Sequence, residues 1–203
     1  MELTKFDIDI HDINKVSELI YETDAETFDF YFKDKEKAAR KISKLVKNGN
    51  NTLGFENIYI VTEGNGKRVL GILVASKGEG NGIINELKIF FKVLTPSDAL
   101  RFVLFTIIDS LILAKLENND FYLASVAVDN EFRGKGIGNF ILEESLKLAK
   151  NNMCERVVLD VDFKNPGALR FYKRFGFKIF NKKSIPWFGG KKGVFNMEYS
   201  IIK

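Results

Sequence analysis

Between Arg133 and Gly138 the chain reads Arg-Gly-Lys-Gly-Ile-Gly, a run of glycines and cations whose chemistry is anion binding. The eight residues before its turn, Phe121 to Val128 (FYLASVAV), are short, β-branched and aromatic, the signature of a buried strand. The turn carries Asp129, Asn130 and Glu131. Downstream, Phe140, Ile141, Leu142, Leu146 and Leu148 recur at roughly helical spacing. A strand therefore feeds a glycine-rich loop that opens a helix. The first turn of a helix presents unpaired N–H groups and the positive end of the macrodipole. Gly134, Gly136 and Gly138 leave room for a phosphate to reach the amides running through Ile137 to Asn139, while Arg133 and Lys135 add full charges. Charge-assisted hydrogen bonds contribute roughly 1.5–3 kcal/mol each, enough in combination to hold a pyrophosphate. Two other phosphate loops are excluded: Lys135 precedes Gly136 rather than Ser or Thr, and the glycine spacing is not G-x-G-x-x-G. The alternative is a glycine-rich turn whose basic residues face solvent.

Further along, RVVLDVD (Arg156 to Asp162) reads as a second strand. Alternation puts Asp160 and Asp162 on one face, where like charges would raise one of the two pKa values. A solvated or capping pair is the other reading. The single histidine, His11, lies far from these motifs, and the single cysteine, Cys154, reads as a small buried hydrophobe.

The order is strand, phosphate loop (Arg133-x-x-Gly136-x-Gly138), helix, strand RVVLDVD, then NPGALRFYKRFGFKIF from Asn165 to Phe180. Over roughly Phe121 to Phe180 this resembles the GNAT superfamily of acetyl-CoA-dependent N-acetyltransferases, and within it the amino-terminal acetyltransferases of ribosomal proteins. The resemblance implies an α/β (α+β) fold with a mixed, splayed central sheet flanked by helices. Acetyl-CoA, as co-substrate and with no metal, would sit in the split. Its pantetheine arm would pair with the backbone of Val126, Ala127 and Val128, and its pyrophosphate would rest on Gly134 to Asn139. Asn165 belongs to the same motif set. Tyr172, seven residues after Asn165, falls where the matching branch places a proton-donating Tyr, so Tyr172 is the candidate donor to the leaving thiolate. Asp160 falls where that branch carries a Glu and is the candidate base, on a shorter arm. A half-buried structural Tyr is the other reading of Tyr172.

An amine must be neutral to attack a thioester. A lysine-type amine with a pKa near 10.4 is neutral about one part in 2,500 at pH 7, a cost of roughly 4.6 kcal/mol. An α-amino group near 7.8 costs only about 1 kcal/mol. Side-chain amines therefore need a strong base, and a water relay suffices for amino termini. The acceptor, whether protein amino terminus, lysine or small amine, is not legible in the residues. A catalytically silent acyl-CoA-binding domain and a nucleotide-phosphate enzyme are the alternatives from other classes.

The 203 residues, 45% of them apolar, suffice for one sizeable domain. Its acceptor side would be about 1–118 and its cofactor-binding core about 119–203. A net charge of +4 fits a solvated surface and a polyanionic ligand better than nucleic acid. One cysteine and an acidic, non-hydrophobic start suit a cytoplasmic protein, monomeric or homodimeric, with no membrane partner. FDIDI (Phe6 to Ile10) reads as a first strand. Asp12 and Asp34 read as helix caps, the second helix stopped by Gly49. NIYIVTE and KRVLGILVAS flank Gly64-Asn65-Gly66 as a hairpin. Gly78 to Leu94 is expected to be irregular with a short strand. Ala99 to Leu116, apolar on nearly all sides and started by Thr95-Pro96-Ser97, is expected to be a buried helix, with a partner surface as the second reading. GFKIF and VFNMEYSII read as the last two strands, joined by NKKSIPWFGGKKG. In that connection Trp187, Phe188, Gly189 and Gly190 would border the acceptor pocket or plug it.

Overall fold

The computed structural model describes residues 1–32, 34–64, 66, 68–78, 83–187 and 190–201. Asn65 of the expected hairpin turn, and Phe188 and Gly189 of the expected pocket border, lie outside them. Seven strands form one sheet: β1 (Glu2–Lys5), β2 (Ile58–Thr62), β3 (Val69–Lys77), β4 (Asp120–Val128), β5 (Arg156–Asp162), β6 (Lys178–Trp187) and β7 (Gly190–Ser200). Their order across the sheet is β1-β2-β3-β4-β5-β7-β6. All neighbours are antiparallel except β4 and β5, which run parallel. The helices are α1 (Ile13–Thr23), α2 (Ala25–Phe32), α3 (Lys35–Asn48), α4 (Ile83–Val93), α5 (Pro96–Ile112), α6 (Ile137–Asn151) and α7 (Pro166–Phe175).

Each face of the sheet is covered by its own helices. On one face Leu19, Ile20, Ile42 and Leu45 of α1 and α3 pack against Ile58, Ile60, Ile72, Val74 and Ala127, with Phe90 and Phe102 of α4 and α5 beside them. On the other face Ile141, Leu142 and Ala149 of α6 meet Leu73, Phe121, Leu123, Val157, Leu159 and Met197. Capping follows the side-chain chemistry. Asp12 accepts from Asn14 and Lys15 N–H to start α1, and Asp34 accepts from Lys37 N–H to start α3. Gly49 ends α3 with φ +68°, a conformation that favours glycine.

Four local expectations are corrected. The first strand is Glu2–Lys5, not Phe6–Ile10. Asp7 folds its side chain onto the Asp9 N–H (2.9 Å) and its own N–H onto His11 Nδ1 (2.9 Å), which makes a turn there. Within Gly78 to Leu94 the described residues Ile83–Val93 form a helix rather than irregular chain. Glu86 ties its first turn to the backbone N–H and hydroxyl of Thr52. Helix α5 is not buried on all sides: Asp98, Ala99, Phe102 and Ile112 are buried, while Leu100, Leu104, Ile107 and Leu111 are exposed. The segment NKKSIPW, expected as a connection, extends β6 instead, so the last hairpin is longer than its flanking apolar runs suggest. Among the described residues no helix is long and apolar enough to cross a membrane.

Candidate active site

Strands β4 and β5 pair only at one end. Their parallel register runs from Asp120 opposite Arg156 to Leu123 opposite Leu159 and stops. Strand β4 continues to Val128 beside β3, and β5 to Asp162 beside β7, with no ladder between the two continuations. At the divergence the β3–β4 register slips, Val74 facing Ser125 but Ala75 facing Leu123, so Ala124 is a bulge. A bulge adds one residue and increases local twist, which turns the end of β4 away from β5.

The bulge also sets which backbone groups face the split. Asp129 N–H donates to the Leu70 carbonyl at 2.9 Å. In an antiparallel ladder alternate residues exchange hydrogen bonds, so Ala127 and Ser125 direct their N–H and C=O groups to β3. Val126 and Val128 direct theirs to the split. The Val128 carbonyl accepts from Arg133 Nε at 3.1 Å, and Arg133 also reaches Glu22 of α1 at 3.4 Å.

Past Val128 the chain turns through Asn130–Phe132, with Asp129 accepting from Glu131 N–H and paired to Lys15 of α1. Gly134 and Gly136 both have left-handed backbone, φ +76° and +82°, and an added Cβ at either would meet nothing within 4 Å. Gly136 is the N-cap of α6 and supplies no side-chain acceptor, so the N–H groups of Ile137, Gly138 and Asn139 face an open recess. Such a cradle, without a Cβ and next to Arg133 and Lys135, fits a phosphate group. Lys135 Nζ sits 4.8 Å from the Phe132 ring. Gly138 has a different duty: a Cβ there would come within 3.1 Å of Phe171 Cζ, so this glycine seats α7 against the first turn of α6.

Asn165 caps α7, its Oδ1 accepting from Ala168 N–H at 2.9 Å. Tyr172, next to Phe171, lies half-buried with ring centroids 5.2 Å from Phe171 and 5.6 Å from Phe177. Burial pushes its phenol up to about 12. Among the described residues its hydroxyl has no hydrogen-bond partner.

Asp160 lies where alternation puts it, but in a hydrogen-bonded setting that alternation does not report. It shares the Asp162 face, but its oxygens accept from Ala114 N–H (3.2 Å to each), Tyr122 Oη–H (3.0 Å) and Asn196 Nδ2. Asn196 also donates to the Ile112 carbonyl, so the group closes the end of α5 onto the sheet. The Asp160 carboxyl is raised because of burial, against the lowering effect of Asn196, Ala114, Tyr122 and Lys183; Asp162 is not the cause.

On this same α1 side a cavity of about 370 Å³ lies between the start of α2, the end of β5 and the β6–β7 hairpin. Asp24, Thr27, Asp162, Trp187 and Lys192 are among its walls. Lys192 pairs with Asp109 of α5 at 2.9 Å, and the Asp109 carboxyl is pushed up to about 6 by burial, with Lys192 opposing. Composition carried no signal for this cavity, because Asp24 and Lys192 are far apart in the chain and meet only through the fold. Among the described residues no group of three or more His, Cys, Asp or Glu side chains is arranged to hold a metal ion.

The profile of the acetyltransferase (GNAT) family matches residues 9–177, the larger part of the chain. The chain belongs to the GNAT family. Among curated GNAT relatives, N-alpha-acetyltransferase 30 of Schizosaccharomyces pombe is 38% identical over 56 residues, 28% of this chain and 37% of that protein. An uncharacterised N-acetyltransferase of Methanocaldococcus jannaschii is 42% identical over 53 residues, 26% of this chain and 24% of its own. The matched segment thus spans little more than a third, or less, of these relatives' length. Among solved structures, an N-acetyltransferase from Staphylococcus aureus superposes with a TM-score of 0.70 at 18% identity, covering 98% of this chain and 100% of that one. That likeness is one of fold, and it carries the expected GNAT arrangement of a mixed sheet flanked by helices.

Proposed function

We propose that this GNAT protein transfers an acetyl group from acetyl-CoA to a primary amine by direct attack. The observation that carries the reading is the split between β4 and β5 with the open glycine cradle at its mouth. The pantetheine arm of the co-substrate would add along β4 as a strand does, pairing with Val126 and Val128, whose backbone groups β3 does not use. Ala127, turned to β3, would contribute shape rather than hydrogen bonds. Gly134 to Asn139 would hold the pyrophosphate by backbone N–H groups, with Arg133 and Lys135 adding charge. Asn165 would act through its cap, fixing α7.

Tyr172 would give a proton to the sulfur as the thioester breaks. A phenol held near 12 keeps its proton at neutral pH, the form a donor needs. The acceptor is a protein amino terminus, a lysine or a small amine, and the cavity beside α2 is where it would enter. The S. pombe and M. jannaschii relatives are named as N-acetyltransferases, which supports an amine acceptor. We place the protein in the cytoplasm, as a monomer or homodimer.

The test is release of free CoA thiol from acetyl-CoA across a panel of primary amines. Amine-dependent release supports the reading. Tight acetyl-CoA binding with no release across the panel would favour a silent acyl-CoA-binding domain, and ATP binding without CoA binding would favour a nucleotide enzyme.

A further inference from the structure

We propose that Asp24, rather than Asp160, takes the proton from the acceptor's ammonium group. This rests on the acetyl-transfer reading above and names the base for it.

Position comes first. Thr23 Oγ1 lies 3.2 Å from Ser125 Oγ, which is on β4 just past its last pairing with β5. Asp24 is the next residue, and it lines the 370 Å³ cavity whose far wall includes Asp162, the last residue of β5. The cavity therefore reaches the β5 lip of the split through Asp162, and Asp24 on its wall follows directly on Thr23, which touches the β4 lip. An amine entering it would approach the thioester from the α1 side of the sheet. Tyr172 belongs to the core on the α6 side, so the proton acceptor and the proton donor flank the split from opposite faces.

Availability separates the two carboxylates. The oxygens of Asp160 are taken by three donors. The Asp24 side chain accepts from Thr27 alone among the described residues, with the Thr27 N–H at 3.3 Å, and it lines the cavity. Among the described residues no cation forms an ion pair with it. Lys192 of β7 is paired with Asp109 of α5, and Lys164 beyond β5 is paired with Glu26 of α2. Asp29 of α2 is hydrogen-bonded by the Tyr21 hydroxyl at 2.7 Å. Asp162 of β5 accepts from Lys164 N–H, and Lys191 of β7 lines the same wall. Desolvation by the walls of the recess raises the Asp24 carboxyl; Thr27 and Lys192 oppose this and Asp162 reinforces it. A raised carboxylate is a stronger base.

The protons balance as follows. Asp24 accepts one proton from the ammonium. The freed lone pair forms the C–N bond at the thioester carbon, and the C–S bond breaks with its electron pair going to sulfur. Tyr172 supplies the sulfur's proton and recovers one from water. The second nitrogen proton and the one on Asp24 leave to water, so each turnover releases one proton net.

The test compares Asp24→Asn with Asp160→Asn in the full chain. Asn keeps an oxygen for the Thr27 N–H, so the start of α2 survives the change. For a lysine-like amine at pH 7, Asp24→Asn is expected to lower kcat/KM by about 10²–10³-fold with acetyl-CoA affinity unchanged. The defect should shrink as pH rises and free amine accumulates, and Asp24→Glu should restore part of the rate. Carboxyl-carbon NMR should show Asp24 titrating above the ordinary aspartate value of 3.8. A wild type that turns over, with an Asp24→Asn variant within threefold of it or a defect that ignores pH, overturns the assignment while leaving acetyl transfer standing. A wild type with no turnover on any amine overturns both.

Discussion

The two ends of the β4–β5 junction are built from opposite chemistry. At the closed end Arg156 donates to both carboxylate oxygens of Asp120 (2.6 and 3.0 Å) and to Glu198 of β7 (2.8 Å), with Asp120 almost wholly buried. That bidentate pair stitches β4 to β5 and β5 to β7 where the parallel ladder begins, and hydrogen bonding to Asp120 raises the guanidinium further above its ordinary value. At the open end β4 carries a bulge at Ala124 and a serine at 125, and the loop beyond it carries glycines with left-handed backbone. A charge pair thus fixes one end of the junction while the ladder stops short of the other, so the same two strands supply both the rigidity and the opening.

The contrast makes distinct predictions for the two ends. Arg156→Ala leaves Asp120 buried without its partner and should cost about 3–5 kcal/mol of stability, read as a lowered denaturation midpoint. Folded protein that survives should still bind acetyl-CoA. Gly136→Glu puts a side chain and a negative charge into the open cradle and should weaken acetyl-CoA binding at least about 100-fold by calorimetry. Because Gly136 has φ +82°, the variant should also lose about 1–2 kcal/mol of stability, well short of the Arg156 loss. Tyr172→Phe should reduce kcat about 10²-fold with affinity nearly unchanged. That is the low end for general acid catalysis, since a phenol near 12 gives up its proton reluctantly to a thiolate near 8.5. Arg133→Ala should weaken binding by less than about tenfold, since it removes one exposed charge and no backbone donor. Equal affinity losses for Gly136→Glu and Arg133→Ala would mean that charge alone, not the amide cradle, holds the anion.

What could be read from the chain divides along the same line. The strand at Phe121–Val128, the loop and the helix after it are legible because each rests on local signals: β-branched runs, glycines and helical spacing. The caps at Asp12 and Asp34 are local too. The duties of Asp160 and Asp24 are not. Alternation correctly puts Asp160 on the Asp162 face, but its partners Ala114, Tyr122 and Asn196 come from three other parts of the chain, and no spacing rule reports them. Gly138 looks identical to Gly136 in the sequence, yet it makes room for Phe171 rather than for a phosphate. Helix α5 misled through composition: its residues are apolar on nearly all sides, but the exposed row of Leu100, Leu104, Ile107 and Leu111 shows that hydrophobicity alone does not bury a face.

Acetyl-CoA is expected to enter the open end of the β4–β5 junction along Val126 to Asn139. The most direct measurement is the backbone amide spectrum of labelled protein titrated with acetyl-CoA, with hydrogen exchange on the saturated complex. Shifts and new protection are expected at Val126, Val128 and the amides from Gly134 to Asn139. Ala127, already bonded to β3, and Phe121 to Leu123, already laddered, should change little. Saturating acetyl-CoA that leaves Val126 and the glycine loop unshifted, or that shifts a different edge of the sheet, would contradict this placement.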